Sequence, residues 1–79
     1  MKDVNKARRS DLNRICGQLE QVLNDLEAVQ AEEEDSRDST PEGLQNTERY
    51  EQSEVACDRL AEAIEGLETA INAINEAAE

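Results

Sequence analysis

The chain has 79 residues, with 20 Asp or Glu against 8 Lys or Arg, so its net charge at pH 7 is −12. It contains one aromatic residue and no His, and it has no run of about 18 apolar residues that could cross a membrane. This composition argues against direct binding to nucleic acid or to an anionic membrane, because both carry negative charge. With no secretory signal pattern, we expect a cytoplasmic protein of one domain, residues 1–79.

The first predicted element is a helix over about residues 3–33. Its apolar residues are separated by alternating steps of three and four, which places them on one side of an α-helix. They are Leu12, Ile15, Leu19, Val22, Leu26 and Val29. Cys16 and Leu23 widen this apolar side at one edge, whereas Gly17 lies on the opposite, polar side. The pattern predicts one half of a coiled-coil seam.

The start of this helix is basic, although the chain as a whole is acidic. Five Lys or Arg and two Asp fall in residues 1–14, against three Arg and eighteen Asp or Glu in the remainder. The basic residues are Lys2, Lys6, Arg8, Arg9 and Arg14. One interpretation is a functional basic arm. The other, which we favour, is pairing with the acidic end of an antiparallel second helix, at Glu65, Glu68, Glu76 and Glu79.

An acidic turn over residues 34–40 precedes a second predicted helix over about residues 41–78. Thr40 is the expected N-cap, with Pro41 at the first helical position. The apolar pattern of this helix continues to the end of the chain, through Cys57, Leu60, Ile64, Leu67, Ile71, Ile74 and Ala78. A parallel series of small residues, Ala56, Ala63, Ala70 and Ala77, predicts a contact edge or reflects only the high helix propensity of Ala. Tyr50 is expected to cover the turn end of the core, and Val55 falls outside the apolar side.

Two apolar sides joined by a short turn predict an all-α fold, an antiparallel two-helix hairpin that resembles a coiled coil. Two helices cover only part of each other's apolar surface, so we expect hairpins to dimerise into a four-helix bundle. The predicted seam consists of Leu12, Ile15, Leu19, Val22, Leu26, Leu60, Ile64, Leu67, Ile71 and Ile74. A turn centred near Arg37 would place Cys16 opposite Cys57. These cysteines are then buried free thiols, or a pair that forms a disulfide in air.

No arrangement of residues specifies a reaction. Catalysis by paired carboxylates needs one of them removed from water, whereas the acidic residues here fall on predicted exposed faces. Glu residues three or four apart resemble the ligands of di-iron bundles, but those sites also need His. We therefore expect a protein that is not an enzyme, with no catalytic residues, no metal site and no cofactor.

The second half of the chain carries a short distinctive segment, Pro41-Glu42-Gly43-Leu44-Gln45 followed by Thr47-Glu48-Arg49. On this PEGLQ-x-TER segment, and on the acidic turn beside a heptad-rich helix, the chain resembles short acidic helical-hairpin proteins of phages and mobile elements of Gram-positive bacteria. Tyr50 stands where that pattern has Gly. The resemblance implies a small accessory protein of a phage or prophage and carries no activity with it.

The charge and this resemblance together favour an inhibitor that binds a nucleic-acid-handling host protein. Such a protein would act as a DNA mimic on a basic surface, as in an anti-CRISPR or anti-restriction protein, and two copies side by side would approach the charge density of duplex DNA. The predicted partner-binding residues are Glu48, Glu51, Glu54, Asp58, Glu62 and Glu65. The alternative is a structural or adaptor coiled coil that pairs through its apolar seam with itself or with a partner helix.

Overall fold

Two long helices and a short turn account for most of the chain. The computed structural model describes the backbone of residues 2–79 and the side chains of residues 5–79. Helix α1 spans Lys2–Asp38, a single 3₁₀ turn spans Glu42–Leu44, and helix α2 spans Glu48–Ala77. The helices pack against each other as an antiparallel hairpin, a rod of 66 × 14 × 14 Å. The predicted all-α helical hairpin is confirmed, and no helix in the described residues is long and apolar enough to span a membrane.

The connection between the helices lies later in the sequence than predicted. Thr40 does not cap α2, because its hydroxyl donates back to the Ser36 carbonyl oxygen at 3.2 Å and so belongs to the end of α1. Pro41 is extended and leads into the 3₁₀ turn. The N-cap of α2 is Thr47, whose hydroxyl accepts the Tyr50 N–H at 3.3 Å. The predicted start of the second helix at Pro41 is therefore wrong by seven residues.

Helix α1 also continues about one turn beyond its predicted end. The acidic run from residue 32 to residue 35 lies where the helix dipole is negative, which disfavours helix there. Two features hold it. Arg37 supplies a cation in the last turn and contacts Asp38 at 3.1 Å, and Glu33 accepts a hydrogen bond of 2.8 Å from the Ser53 hydroxyl of α2. A contact between the helices thus stabilises a segment with unfavourable local charge.

The alignment of the two helices follows from three hydrogen bonds between them. Arg9 donates to the main-chain oxygen of Glu79, the Cys16 thiol lies 3.8 Å from the Ile71 carbonyl oxygen, and Ser53 donates to Glu33. In each pair the residue numbers add up to between 86 and 88. The sequence predicted about 74, because it placed the turn near residue 37.

This alignment separates the two cysteines. Cys16 faces Ile71, whereas Cys57 faces the stretch of α1 around residue 30, about 14 residues away, or roughly 21 Å at 1.5 Å per residue. Both thiols are free and buried. The expectation that the two share a core layer is wrong, and the hairpin brings no second thiol within reach of either.

The buried side of α2 consists of residues from the predicted seam. Cys57, Ile64 and Ile71 are buried, with exposed fractions of 5%, 8% and 6%. The residues at the alternate positions, Leu60, Leu67 and Ile74, are half-buried.

The seam of α1 is rotated by about one residue from the prediction. Cys16 is 4% exposed and Leu23 is half-buried, whereas Val22 and Val29 are each 50% exposed. The residues of α1 that face α2 are therefore Leu12, Cys16, Leu19, Leu23, Leu26, Gln30, Glu33 and Arg37. Ile15, half-buried, Val22 and Val29 lie beside this seam instead of in it.

Candidate functional site

Six carboxylates form a line along the outer surface of α2, here called the acidic line. Its members are the predicted partner-binding residues, Glu48, Glu51, Glu54, Asp58, Glu62 and Glu65, and all six side chains are exposed. They follow each other at intervals of three or four residues, so they occupy one side of the helix, over roughly 26 Å at 1.5 Å per residue. Glu48 and Glu51 lie in the first turn of α2, where the helix dipole favours negative charge.

Most of this negative charge has no cation beside it. Among the side chains of residues 5–79, three ion pairs form, between Arg14 and Asp11, Arg37 and Asp38, and Arg59 and Glu62. Only the last involves the acidic line, at 2.9 Å between two exposed groups, and an exposed pair of this kind contributes little to stability. The acidic line is therefore a solvated surface that can meet a cation from another molecule.

The charge is distributed unevenly along the rod. Residues 20–65, which form the half with the turn, hold fifteen Asp or Glu and three Arg. The other half, residues 1–19 and 66–79, holds five of each sign. The net charge of −12 thus belongs to the turn half, and the terminal half is neutral overall.

The predicted pairing of the basic start of α1 with acidic side chains of α2 is not observed in the side chains of residues 5–79. Arg9 does reach across, but to the main-chain oxygen of Glu79, at 2.7 Å. Arg8 donates to Asn5 at 2.9 Å, and Arg14 contacts Asp11 on the same helix. The side chain of Lys2 lies outside the described residues. Most of these cations remain exposed and close to their own helix.

One side of the hairpin beside the seam is apolar on both helices, and we call it the apolar flank. In an antiparallel pair, residues that immediately precede corresponding seam positions lie on the same side of both helices. These residues are Ile15, Val22 and Val29 in α1, and Ala56, Ala63, Ala70 and Ala77 in α2. The alanines were expected to let a neighbouring helix approach closely. Since Ala63, Ala70 and Ala77 are exposed, that neighbour is not α1.

A shallow groove at the turn end continues the apolar flank. It is lined by Ser36, one heptad after Val29, by Ala56, Leu44 and Tyr50, and by polar side chains that include Glu33, Thr47 and Arg49. Because Ser36 of α1 and Ala56 of α2 line the same groove, the apolar-flank residues of the two helices lie on one side of the hairpin. Leu44 is 53% exposed and Tyr50 is half-buried. The groove could not be found from sequence, because it depends on the unpredicted 3₁₀ turn.

Two groups among the side chains of residues 5–79 show a perturbed pKa. The hydrogen bond to Asp38 raises the pKa of Arg37 above its usual range. Burial raises the pKa of the Cys57 thiol, an effect that the nearby cation of Arg37 opposes and that Glu33 reinforces. A raised thiol pKa keeps Cys57 protonated and unreactive at neutral pH, so it serves as a buried core residue.

Comparisons of the chain with models of protein families, with curated proteins and with solved structures gave no match.

Proposed function

We propose that this protein is a non-catalytic binding protein of a phage or mobile element that covers a basic surface of a nucleic-acid-handling protein in the cytoplasm of its host. The acidic line is the observation that carries the proposal. Five of its six exposed carboxylates, from Glu48 to Glu65, have no cation partner among the side chains of residues 5–79. A rod 14 Å wide presents these groups without enclosing a substrate.

The spacing of charge supports a comparison with DNA. Six carboxylates over roughly 26 Å give about one charge per 4 Å, and duplex DNA carries one per about 1.7 Å of its axis. The spacing along one line is close to the roughly 3.4 Å between phosphates of a single DNA strand, and a second copy would present a second such line, so we propose that the active form is a homodimer. A defence nuclease, of the kind that anti-CRISPR and anti-restriction proteins antagonise, has the basic surface that such a dimer fits.

The experiment that tests this proposal compares two triple variants of equal charge change in a pull-down from host lysate. One neutralises the acidic line with Glu51→Gln, Asp58→Asn and Glu65→Gln. The control neutralises three exposed carboxylates on the outer surface of the other helix, α1, with Asp25→Asn, Glu32→Gln and Asp35→Asn. We expect the first set to lower capture of the partner at least about tenfold and the control to leave capture within about twofold, because the contact depends on position as well as net charge.

Two further observations decide the class of partner. The captured protein, identified by mass spectrometry, should bind nucleic acid, and duplex DNA should displace it from this protein. Capture should also weaken steeply between low and high salt, since exposed charges are screened beyond about 10 Å at 0.1 M. Equal loss in both triple variants, or capture that is unchanged by salt and by DNA, would contradict the proposal.

The exposure of Val22 and Val29 favours a second candidate, an adaptor that pairs with a helix of another protein. The seam itself is occupied within the hairpin, so an adaptor would have to use the apolar flank. Its binding would be insensitive to salt and to neutralisation of the acidic line, and substitution of Val22 by a charged residue would abolish it.

A further inference from the structure

We propose that the apolar flank is covered by a second copy of this chain, which lies antiparallel to the first and forms a four-helix bundle. This inference rests on the homodimer of the proposed function and names the surface through which it forms, while the acidic lines of the two copies stay exposed. Its test does not involve the partner, so the two can fail separately.

The hairpin leaves much of its apolar surface in contact with water. Only four side chains are buried in the described part of the chain, Cys16, Cys57, Ile64 and Ile71. Of the four large apolar side chains that are half or more exposed, Val22, Val29 and Leu44 lie on the apolar flank or in the groove that continues it. Exposed apolar residues gathered on one face mark an interaction surface, whereas residues scattered singly need no explanation.

The dimensions of the flank suit another hairpin. One face of a 66 × 14 Å rod is roughly 900 Å² in projection, and a stable interface buries about 800 Å² per partner. Beyond the alanines of α2, Gly66 and Ala73 extend the small-residue surface by one further position around the helix. A Cβ atom added at Gly66 would meet nothing within 4 Å in the single hairpin. Small side chains over this length let a helix of similar length approach closely.

The distribution of charge selects a second copy and sets its direction. The turn half of the rod carries the net charge of −12, whereas the terminal half is neutral and contains the five basic residues of the first 14. Parallel docking would place two strongly acidic halves together. Antiparallel docking places each acidic half against the basic start of α1 in the other copy, which is electrostatically complementary.

Antiparallel docking also fixes which residues meet. A two-fold axis across the middle of the rod brings each helix against its own copy, and the middle lies near residue 20 of α1 and residue 66 of α2. Val22 therefore meets Val22 of the other copy, and Gly66 lies near Gly66. Gly66, which has no side chain, therefore lies where the two copies of α2 would be closest.

The first test is the mass in solution. Sedimentation equilibrium at about 50 µM should give twice the 8.8 kDa of one chain, at a concentration high enough to populate a dimer. Val22→Glu should lower the dimerisation constant at least about tenfold, because it places a charge in the interface. Val55→Glu is the matched control, since Val55 is 56% exposed on another side of the rod, and it should leave the constant within about twofold. Circular dichroism should show both variants fully helical, because both positions are exposed in the hairpin.

The second test is the direction of docking. Gly66→Cys in the otherwise native chain should form a disulfide between two copies in air, located by mass spectrometry of a digest. Gly17→Cys, also exposed and near the middle of the rod but on the opposite side, should form none. A wild-type monomer, or a dimer equally stable with Val22→Glu and Val55→Glu, would overturn the proposed surface. A dimer that Val22→Glu dissociates but that gives no disulfide with Gly66→Cys would overturn the antiparallel arrangement.

Discussion

A difference of one residue on α1 separates the buried side chains from the exposed ones. Val22 and Leu23 are neighbours in sequence, and both fit an apolar helix pattern. Leu23 faces α2, and Val22 is 50% exposed. The steps of three and four through Leu12, Ile15 and Leu19 fit one seam, while steps of four and three through Leu12, Cys16 and Leu19 fit another. Both spacings are present in α1, and the sequence does not show which of them faces α2.

Gln30 tests this assignment, because it continues the series of Cys16 and Leu23 and is half-buried. We expect Gln30→Leu to raise the free energy of unfolding by about 1 kcal/mol, since it places an apolar side chain against α2. Gln21→Leu is the control on the outer surface, where the exposed Gln21 side chain donates to Asp25 of its own helix at 3.1 Å, and it should change stability little. Chemical denaturation measures both. Equal changes in the free energy of unfolding for the two variants would indicate that Val29 lies in the seam and Gln30 on the surface.

The cysteines give a second prediction at the scale of single residues. Cys16 and Cys57 lie on the order of 20 Å apart along the rod, too far for a disulfide, whose Cα atoms are at most about 7 Å apart. Mass analysis of air-exposed protein without reductant should therefore find both thiols free within each chain.

The raised pKa of Cys57 makes its alkylation slow at neutral pH. Its folded pKa exceeds the unfolded one, so the thiol's contribution to stability is complete below the unfolded pKa and is lost as pH rises through the folded value. Rapid alkylation of the native protein would contradict the burial of Cys57, and a disulfide between Cys16 and Cys57 of one chain would contradict the alignment of the helices.

At the scale of elements, the connection decides how the two helices are aligned. Thr40-Pro41-Glu42 and Thr47-Glu48-Arg49 both resemble helix starts, each with a capping residue followed by an acidic one. The first is used to end α1 and to enter a 3₁₀ turn, and the second begins α2. The side of α2 that residues from Cys57 onward present to α1 depends on their own spacing and not on where the helix begins, so the error in its start left the seam unchanged.

The two threonines can be compared directly. Thr47→Ala should cost about 1 kcal/mol of stability, because it removes the acceptor for the Tyr50 N–H and the 2.8 Å hydrogen bond to the Leu44 carbonyl oxygen. Thr40→Ala removes one exposed hydrogen bond to the Ser36 carbonyl oxygen and should cost less than half as much. Thermal unfolding followed by circular dichroism measures the difference. A larger loss for Thr40→Ala would place the start of α2 at Pro41.

At the scale of the whole molecule, the rod carries one long acidic half and one neutral half. Most carboxylates of the acidic half are exposed and lack a nearby cation among the described side chains, so they repel one another along both helices. This repulsion opposes the folded hairpin, which already has few buried side chains.

Screening of this repulsion gives a measurable effect. We expect the melting temperature to rise by several degrees between about 10 mM and 500 mM NaCl, as the screening length falls from about 30 Å to a few ångströms. Potassium fluoride at equal ionic strength is the control for ion-specific effects, and it should give the same rise. A melting temperature that falls with salt would indicate that attractive ion pairs, and not repulsion, dominate the electrostatics of the rod.

The sequence by itself determined the helical class, the antiparallel hairpin, the seam of α2 and the exposed acidic line, because these depend on local periodicity and on the sign of charges. Only the tertiary structure decided the length of α1, the site where α2 begins, the alignment that separates Cys16 from Cys57, and the choice of Leu23 over Val22. Each of these depends on contacts between residues far apart in sequence, such as Ser53 with Glu33. A heptad pattern remains in phase when it is shifted by seven residues, so it fixes which side of a helix is buried and leaves open which residues of the two helices meet.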